Sequence, residues 1–210
     1  MANELTPTQS VLQELREESR SMEEGYRFLD EKRLILAAEI LRELGRYEQT
    51  RTRFDEQYAA AAASLRAAIE RHGLDGVQVY PAVDGVGAEL KVRSRSVVGV
   101  PVYDAILSSQ GNEPAGGGKA SPEGERCRKL FAALIPQAAA LAGMVGNLER
   151  LRREYSRAAR RARALEDVLL PELKQTIQGL DTALEELERE EAVRVRWAGL
   201  GGDPNGAAKT

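Results

Sequence analysis

RRARALEDVLLPELKQTIQGLDTALEELERE, from Arg160 to Glu190, reads as one helix with a proline in its middle. Apolar residues recur on both sides of Pro171, and the steps across the proline are four residues long. Such a narrow apolar stripe is typical of a coiled-coil helix. Proline costs about 3 kcal/mol inside a helix, because it lacks an N–H group and crowds the preceding turn. Since the stripe continues past Pro171, we predict a bend; the alternative is that Pro171 ends one helix and starts another.

The same stripe extends toward the N-terminus and predicts a long helix over residues 125–197. Before the proline it consists of Leu141, Met144, Leu148, Leu151, Tyr155, Ala158, Ala162, Leu165 and Leu169, and after it of Leu173, Ile177, Leu180, Leu184 and Leu187. Cys127 falls on this predicted helix and is interpreted as a packing residue. The residues that follow, 198–210, are rich in glycine and are predicted to be a disordered tail.

A second stripe predicts another long helix, over residues 8–72. Its first row is Leu12, Tyr26, Ile40, Tyr47, Phe54, Ala61 and Ala68, and its second row is Leu15, Met22, Leu29 and Leu36. The second row then moves by one residue to Leu44, Tyr58 and Leu65, which is the signature of a stutter. Thr8 suits the N-cap, and Gly73 suits a left-handed C-cap. A helix of this length would extend about 95 Å.

Residues 73–124 differ from both helices and predict a small β insert followed by a flexible linker. Val77–Tyr80 and Ala88–Arg93 have strand-like composition, and Asp84-Gly85 between them is a turn signal. In the next segment, 97–107, Gly99 and Pro101 favour an edge strand or a loop. The glycine-rich segment 108–124 is typical of a linker.

The predicted fold is therefore mainly α. The two helices would bury their stripes against each other as an antiparallel coiled coil, with the small β-hairpin insert at the far end. Both termini would then lie at the same end of a rod about 100 Å long.

Composition excludes several classes of protein. The 210 residues are 30% charged but only 5% aromatic, which fits long helices better than a compact enzyme. The net charge of -3 argues against a dedicated nucleic-acid binder. One cysteine rules out an internal disulfide and fits a reducing cytoplasm. No signal peptide and no run of about 18 uninterrupted apolar residues is found, so a membrane would be reached through partners.

The chemistry-bearing motifs give no active site, so we expect no catalytic residue, cofactor or metal. His72 is the one histidine and has no visible partner ligands. The stretch Gly116–Ser121 lacks the spacing of a phosphate-binding loop. Seven arginines between Arg150 and Arg163 form either a basic collar for acidic partner loops or a solvated face. In the second case they would pair with Glu43, Glu48, Asp55 and Glu56 of the first helix.

Both helices resemble the D subunit of the vacuolar and archaeal-type rotary ATPases, the axle of the central stalk. The specific C-terminal part is Arg160, Arg161, Ala164, Leu165, Glu166, Val168, Leu170, Pro171, Leu173, Thr176 and Ile177, followed by Leu184, Glu186, Glu188, Arg189 and Glu190. The less specific N-terminal part is Pro7, Thr8, Leu12, Leu15, Gly25, Leu29, Lys32 and Arg33. The chain departs from the family in an acidic rather than lysine-rich first helix and in Arg163 in place of an asparagine.

The resemblance implies a rotor that transmits torque and has no catalysis of its own. The paired termini would enter a ring of catalytic and regulatory nucleotide-binding subunits. The insert end would face the membrane rotor, held by a small companion stalk subunit and a socket subunit, so that the chain is cytoplasmic and peripheral to the membrane. The implied partner-contact residues are Lys32, Arg33, Arg160, Arg161, Leu165, Glu166, Pro171, Thr176, Ile177, Glu188 and Arg189. Two alternatives from other classes are a prefoldin-like chaperone subunit and a generic coiled-coil scaffold.

Overall fold

A computed structural model describes residues 6–78, 88–109 and 121–200. Its elements are α1 (Gln9–Gln78), β1 (Ala88–Val97), β2 (Val100–Ser109), α2 (Pro122–Ala164), a π turn (Leu165–Leu169) and α3 (Leu170–Leu200). The mainly α fold with a small β-hairpin is thereby confirmed. The predicted flexible linker lies mostly outside the described residues, and so does the predicted tail beyond Leu200.

Helix α1 begins where the sequence predicts. The hydroxyl of Thr8 accepts a hydrogen bond from the N–H of Val11 at 3.3 Å, and the carbonyl of Thr8 accepts one from Leu12 at 3.1 Å. This is an N-cap, which satisfies amide groups that have no partner within the helix. At the other end Gly73 leaves the helical conformation with φ 71° and ψ 166°, as expected for a glycine at a helix break. The helix resumes after this kink and ends at Gln78.

The hairpin lies later in the sequence than predicted. Strand β1 pairs antiparallel with β2, from Ala88 opposite Ser109 to Val97 opposite Val100. The two-residue turn between them is Val98-Gly99, whose φ angles of 47° and 82° are typical of a type I′ turn.

Two predictions for this region are affected. Val77 and Gln78 are helical, so the strand predicted at Val77–Tyr80 is wrong over these two residues, because they continue the helical turn that follows Gly73. The predicted turn at Asp84-Gly85 lies outside the described residues.

Helix α2 begins three residues earlier than predicted. The hydroxyl of Ser121 accepts a hydrogen bond from the N–H of Gly124 at 3.1 Å, and Pro122 occupies the first helical position. Proline is favoured there because its missing N–H would have no helical partner. Glu123 and Glu125 then place negative charge in the first turn, where the helix dipole is positive.

The chain stays helical through Pro171, and an extra residue is accommodated just before it. The N–H of Leu170 donates to the carbonyl of Leu165, a bond that spans five residues and defines the π turn. The stripe therefore steps by five, from Leu165 to the buried Leu170. The prediction that Leu169 lies on the stripe is wrong. Its side chain is 42% exposed, because the π turn rotates it outward.

The described chain divides into two compact units. The first contains residues up to Glu31 together with residues from Ala158 onward. Its core consists of Leu12 from α1 with Leu180 and Leu184 from α3, supported by Ile177. Cross-helix pairs in this unit join Gln9 to Glu188, Arg16 to Asp181 and Glu23 to Lys174, so α1 and α3 run antiparallel.

The second unit, Lys32–Arg157, combines the hairpin with α1 and α2. Its core cluster is Leu36, Val100, Val102 and Leu151, with Ile40, Val97 and Tyr155 packed against it. Cross-helix pairs join Lys32 to Glu154, Glu43 to Asn147, Gln57 to Gln137 and Arg71 to Glu123, which again gives an antiparallel order. Knobs-into-holes coiled-coil geometry stays a prediction.

The predicted stutter in α1 is not followed at its first position. Glu43, seven residues after Leu36, is fully buried, whereas Leu44 is 38% and Tyr58 54% exposed. The seam therefore keeps its heptad step from Leu36 to Glu43. It accepts a charged residue there because the surrounding elements supply hydrogen-bond donors.

Candidate functional site

A buried polar junction joins α1, the hairpin and α2. Asn147 is fully buried, and its Nδ2 donates to Glu43 Oε1 at 3.1 Å and to the carbonyl of Tyr103 at 2.8 Å. Asn147 Oδ1 accepts from the N–H of Tyr103 at 2.9 Å and from Arg150 Nη1 at 3.1 Å. The side-chain amide thereby pairs with the outer edge of β2 as a neighbouring strand would.

Charged residues complete the junction around Glu43. Arg46 Nη1 lies 3.2 Å from Glu43 Oε2 and 3.7 Å from Asp104 Oδ1 on the hairpin. The Arg150 guanidinium stacks over the Tyr103 ring, 4.6 Å from its centroid. Each polar group of the junction therefore has a partner, as a buried network requires.

A second ion pair ties α1 to β1. Glu39 is 8% exposed and accepts hydrogen bonds from Arg95 on β1 and from Arg42 on its own helix. Burial opposes ionisation of Glu39, but the hydrogen bonds from Arg95 and Arg42 outweigh it, so the pKa of Glu39 lies below its ordinary value. The hydrogen bond to Glu39 likewise raises the pKa of Arg95. The carboxylate stays charged at neutral pH and holds the hairpin against α1.

The chemistry of these clusters is structural. Their carboxylates are held by arginines and an amide, and the part of the chain that the structure describes contains no group of three His, Cys, Asp or Glu residues placed to hold a metal ion. His72 Nε2 lies 3.8 Å from Glu123 Oε2, with Arg71 on the other carboxylate oxygen. Cys127 is 8% exposed, and burial raises the pKa of its thiol, consistent with its interpretation as a packing residue.

Among the predicted partner-contact residues, the basic pair on α1 is partly engaged within the chain. Lys32 Nζ lies 2.6 Å from Glu154 Oε1, and the two side chains are only 17% and 21% exposed. Arg33 is half-buried. Lys32 therefore has a role in holding α1 against α2.

The remaining predicted contact residues all belong to the first unit and fall into two groups. Leu165 and Ile177 are half-buried, and Ile177 packs against the core of that unit. The exposed group is Arg160, Arg161, Glu166, Pro171, Thr176, Glu188 and Arg189. Within it Thr176 donates to the carbonyl of Glu172, Glu188 accepts from Gln9, and Arg189 pairs with Glu185.

Among the described residues, the arginine-rich segment makes none of the predicted pairs with acids of the first helix, and its role as a basic collar stays a prediction. Arg153 and Arg157 pair with acids on their own helix, while Arg150 belongs to the polar junction. Arg152, Arg160, Arg161 and Arg163 are exposed and make no ion pair with any residue that the structure describes. On the acidic side, Asp55 pairs with Arg51 of its own helix rather than with this segment.

An apolar stripe on α2 is exposed in the second unit. Residues 130–148 carry no charge, and Ile135, Ala138, Ala142 and Val145 recur at steps of three and four on the outer face. Ile135 is 49% and Val145 42% exposed. The helical run Pro122–Ala198 contains an 18-residue window with mean hydropathy 1.5 that satisfies the length and composition of a membrane span, which the rule of uninterrupted apolar residues did not predict. A single such window is weak evidence for a span, and only 11% of it is buried within this chain.

A second exposed apolar surface lies near the end of α3, in the first unit. Val193, Val195 and Trp197 are 55%, 67% and 75% exposed, respectively. They follow Glu188, which pairs with Gln9 at the start of α1, so this last part of α3 extends beyond the first residue of α1. Val193 and Trp197, four residues apart, share one face of α3, and Val195 lies on the opposite side. Large exposed apolar side chains of this kind mark protein contact surfaces.

Sequence reasoning missed Asn147 and Arg95, and it placed Glu43 among the acids that pair with the arginine-rich segment instead of in the buried seam. The seam position of Glu43 was visible only from its spacing of seven after Leu36, and that of Asn147 from its spacing of four before Leu151. Since both are polar, the apolar periodicity passed over them in favour of Leu44 and Leu148.

Comparison with known proteins gives a consistent result. The family described as the D subunit of ATP synthase matches residues 11–199. The A-type ATP synthase D subunit of Methanopyrus kandleri is 28% identical over 197 residues, covering 92% of this chain and 84% of the relative. The V-type ATP synthase D subunit of Thermotoga neapolitana is 26% identical, covering 91% of this chain and 95% of the relative. The A-type ATP synthase D subunit of Pyrococcus furiosus is 28% identical, covering 90% and 91%.

Proposed function

The chain belongs to the family of ATP synthase D subunits, and we propose that it is the central-stalk axle of a V/A-type rotary ATPase. It transmits torque between a catalytic ring and a membrane ion-translocating rotor. The observation that carries this proposal is the family match over residues 11–199, which includes both long helices and the hairpin.

We propose that the end of α3 contacts the catalytic and regulatory subunits of the ATPase head. Val193, Val195 and Trp197 are the most exposed apolar residues of this segment, and burial of such side chains drives protein association. The exposed Arg160, Arg161 and Arg163 add positive charge farther along the same unit, where they would meet acidic loops of the ring.

The stripe of Ile135, Ala138, Ala142 and Val145 is proposed as the contact for stalk partners on the membrane side. Its steps of three and four and its small residues suit close packing against another helix. A companion stalk subunit and a socket subunit would cover this surface. The chain would then be peripheral to the membrane on the cytoplasmic side, held there by its partners.

The chain itself is proposed to be non-catalytic, with ATP hydrolysis or synthesis on partner subunits. Glu39 and Glu43, the most buried carboxylates among the residues that the structure describes, are held by Arg95, Arg46 and Asn147. They therefore serve packing rather than acid–base chemistry.

The test is affinity purification of the tagged chain from its native cells, with two variants that serve as controls for each other. The wild-type chain should recover two large nucleotide-binding subunits in equal amounts, with ATPase activity. Val193→Ser/Trp197→Ser should lose these head subunits and keep the membrane-side partners. Ile135→Glu/Val145→Glu should show the opposite pattern. All four positions are exposed, so circular dichroism should find both variants as helical as the wild type.

Two outcomes would contradict the proposal. Recovery of the wild-type chain alone, or with small coiled-coil chains or unfolded clients, would favour a scaffold or a prefoldin-like chaperone. If both variants lost the same set of partners, the assignment of the two surfaces would be wrong even if the complex were recovered.

A further inference from the structure

Asn147 uses its whole hydrogen-bonding capacity at one point of the second unit. A side-chain amide has two donors and an oxygen that accepts two bonds, and all four are occupied here. The partners belong to α1 through Glu43, to the hairpin through the backbone of Tyr103, and to α2 itself through Arg150. One side chain therefore sets the relative position of three elements.

The apolar contacts around this polar layer, formed by Glu43, Asn147 and the Tyr103 backbone, do not fix the axial position of α1 against α2 so strictly. Leu36, Ala61 and Ala68 on α1, and Leu134 and Leu151 on α2, are buried by their apolar character alone. If α1 slid along α2 by one heptad, apolar residues would again face apolar residues over much of the interface.

We propose that Glu43, Asn147 and the Tyr103 backbone form a register pin, which fixes the axial alignment of α1 and α2 and seats the hairpin on them. After a slide of one heptad, the buried Glu43 carboxylate would lie opposite Ala140 in one direction or the carboxylate of Glu154 in the other, instead of the Asn147 amide. The amide and the edge of β2 would also lose their mutual bonds. Buried polar groups without partners are strongly disfavoured, so the native alignment is selected.

The polar layer should matter more for a unique alignment of α1 and α2 than for the stability of the fold. Replacing both buried groups with leucine leaves neither Glu43 nor Asn147 behind as a buried polar group without its partner. The N–H and carbonyl of Tyr103 lose their bonds to Asn147, so the leucine pair should keep the fold at some cost in stability. The specificity supplied by the layer should nevertheless disappear, as it does when a buried polar residue is removed from a coiled-coil seam.

The test measures distance between spin labels on the full-length chain by double electron–electron resonance. Cysteines at the exposed Arg66 on α1 and Arg152 on α2 carry the labels, in a Cys127→Ser background. The labelled protein with Glu43 and Asn147 in place should give one narrow distribution of the distance between the two labels. Glu43→Leu/Asn147→Leu should keep its helix content and show a second population, displaced by about 10 Å, the length of one heptad.

The matched control is Gln57→Leu/Gln137→Leu, which removes another polar pair between α1 and α2. This pair lies at an exposed position, so the control should keep the single native distance. Glu43→Gln should also keep it, because a glutamine still offers a carbonyl oxygen to the Asn147 amide.

Three results would overturn the proposal. One is a single native distance in Glu43→Leu/Asn147→Leu, and another is two populations in the control as well. The third is loss of folding in both the leucine pair and Glu43→Ala/Asn147→Ala, because the layer would then be needed for stability rather than register. The inference is independent of the rotary function, since it concerns the free chain.

Discussion

Leu36 tests the packing of the second unit most directly. Its side chain is fully buried among Val100, Val102 and Leu151, where α1 meets both the hairpin and α2. Leu36→Ala removes three carbon atoms from this cluster, worth about 2.4 kcal/mol at about 0.8 kcal/mol for each methylene-sized group. The cavity left behind adds about 1–2 kcal/mol, as in other buried leucine-to-alanine replacements. We therefore expect the free energy of unfolding to fall by about 3.4–4.4 kcal/mol.

Urea unfolding followed by circular dichroism measures this loss. With a slope of about 2 kcal/mol per molar, the midpoint of unfolding should shift by about 1.7–2.2 M. Leu34→Ala is the matched control, because Leu34 lies two residues away on the same helix but is 62% exposed. Its free energy of unfolding should change by less than about 0.5 kcal/mol. A loss below about 1.5 kcal/mol for Leu36→Ala, or equal losses in both variants, would refute the packing described here.

Two further predictions concern the hairpin and its attachment. Because the pKa of Glu39 is lowered from its ordinary value of 4.5, its ion pair with Arg95 contributes stability above that pH and loses it as the pH falls through the folded-state pKa. Glu39→Gln should thus be less stable than the wild type at pH 7, with a gap that narrows below about pH 4; a gap that stays constant from pH 7 to pH 3 would contradict this. Val98→Asn should raise the free energy of unfolding by about 1 kcal/mol, because a β-branched residue is strained at φ 47° and asparagine with Gly99 suits the turn. A melting temperature unchanged or lower than that of the wild type would argue against that strain.

Apolar periodicity predicted the parts of the fold in which burial follows from composition. Leu12, Leu36, Ala61 and Ala68 of the α1 rows are buried as predicted. Glu43 could not be found this way, because its burial depends on an amide 104 residues later in the chain. A carboxylate in a seam is stable only when such a partner is present, and one sequence does not reveal which residues will face each other.

The hairpin could likewise be predicted only in part from the sequence. Pro101 and Gly99 left an edge strand and a loop as alternatives, and in the structure Pro101 pairs with Ser96 in the ladder. The N–H of Tyr103 points to the outer edge of β2, toward Asn147, and the backbone nitrogen of Pro101, two residues earlier, faces the same edge. Its missing N–H therefore costs no bond to β1, as is usual for proline in an edge strand. The sequence permitted this edge strand but did not indicate which strand would pair with it.

The π turn before Pro171 has a consequence for the outer surface of the helix. One additional residue within a turn advances every later side chain by about 100° around the axis, so α2 and α3 present different phases of the same heptad pattern. Across the boundary the residues from Glu166 to Leu169 are all exposed or half-exposed. Val168 and Leu169, at 47% and 42% exposed, form an apolar band that an uninterrupted α-helix would have turned partly inward. A partner that encircles this segment would contact apolar side chains at Val168 and Leu169 and mostly polar side chains along the turns on either side.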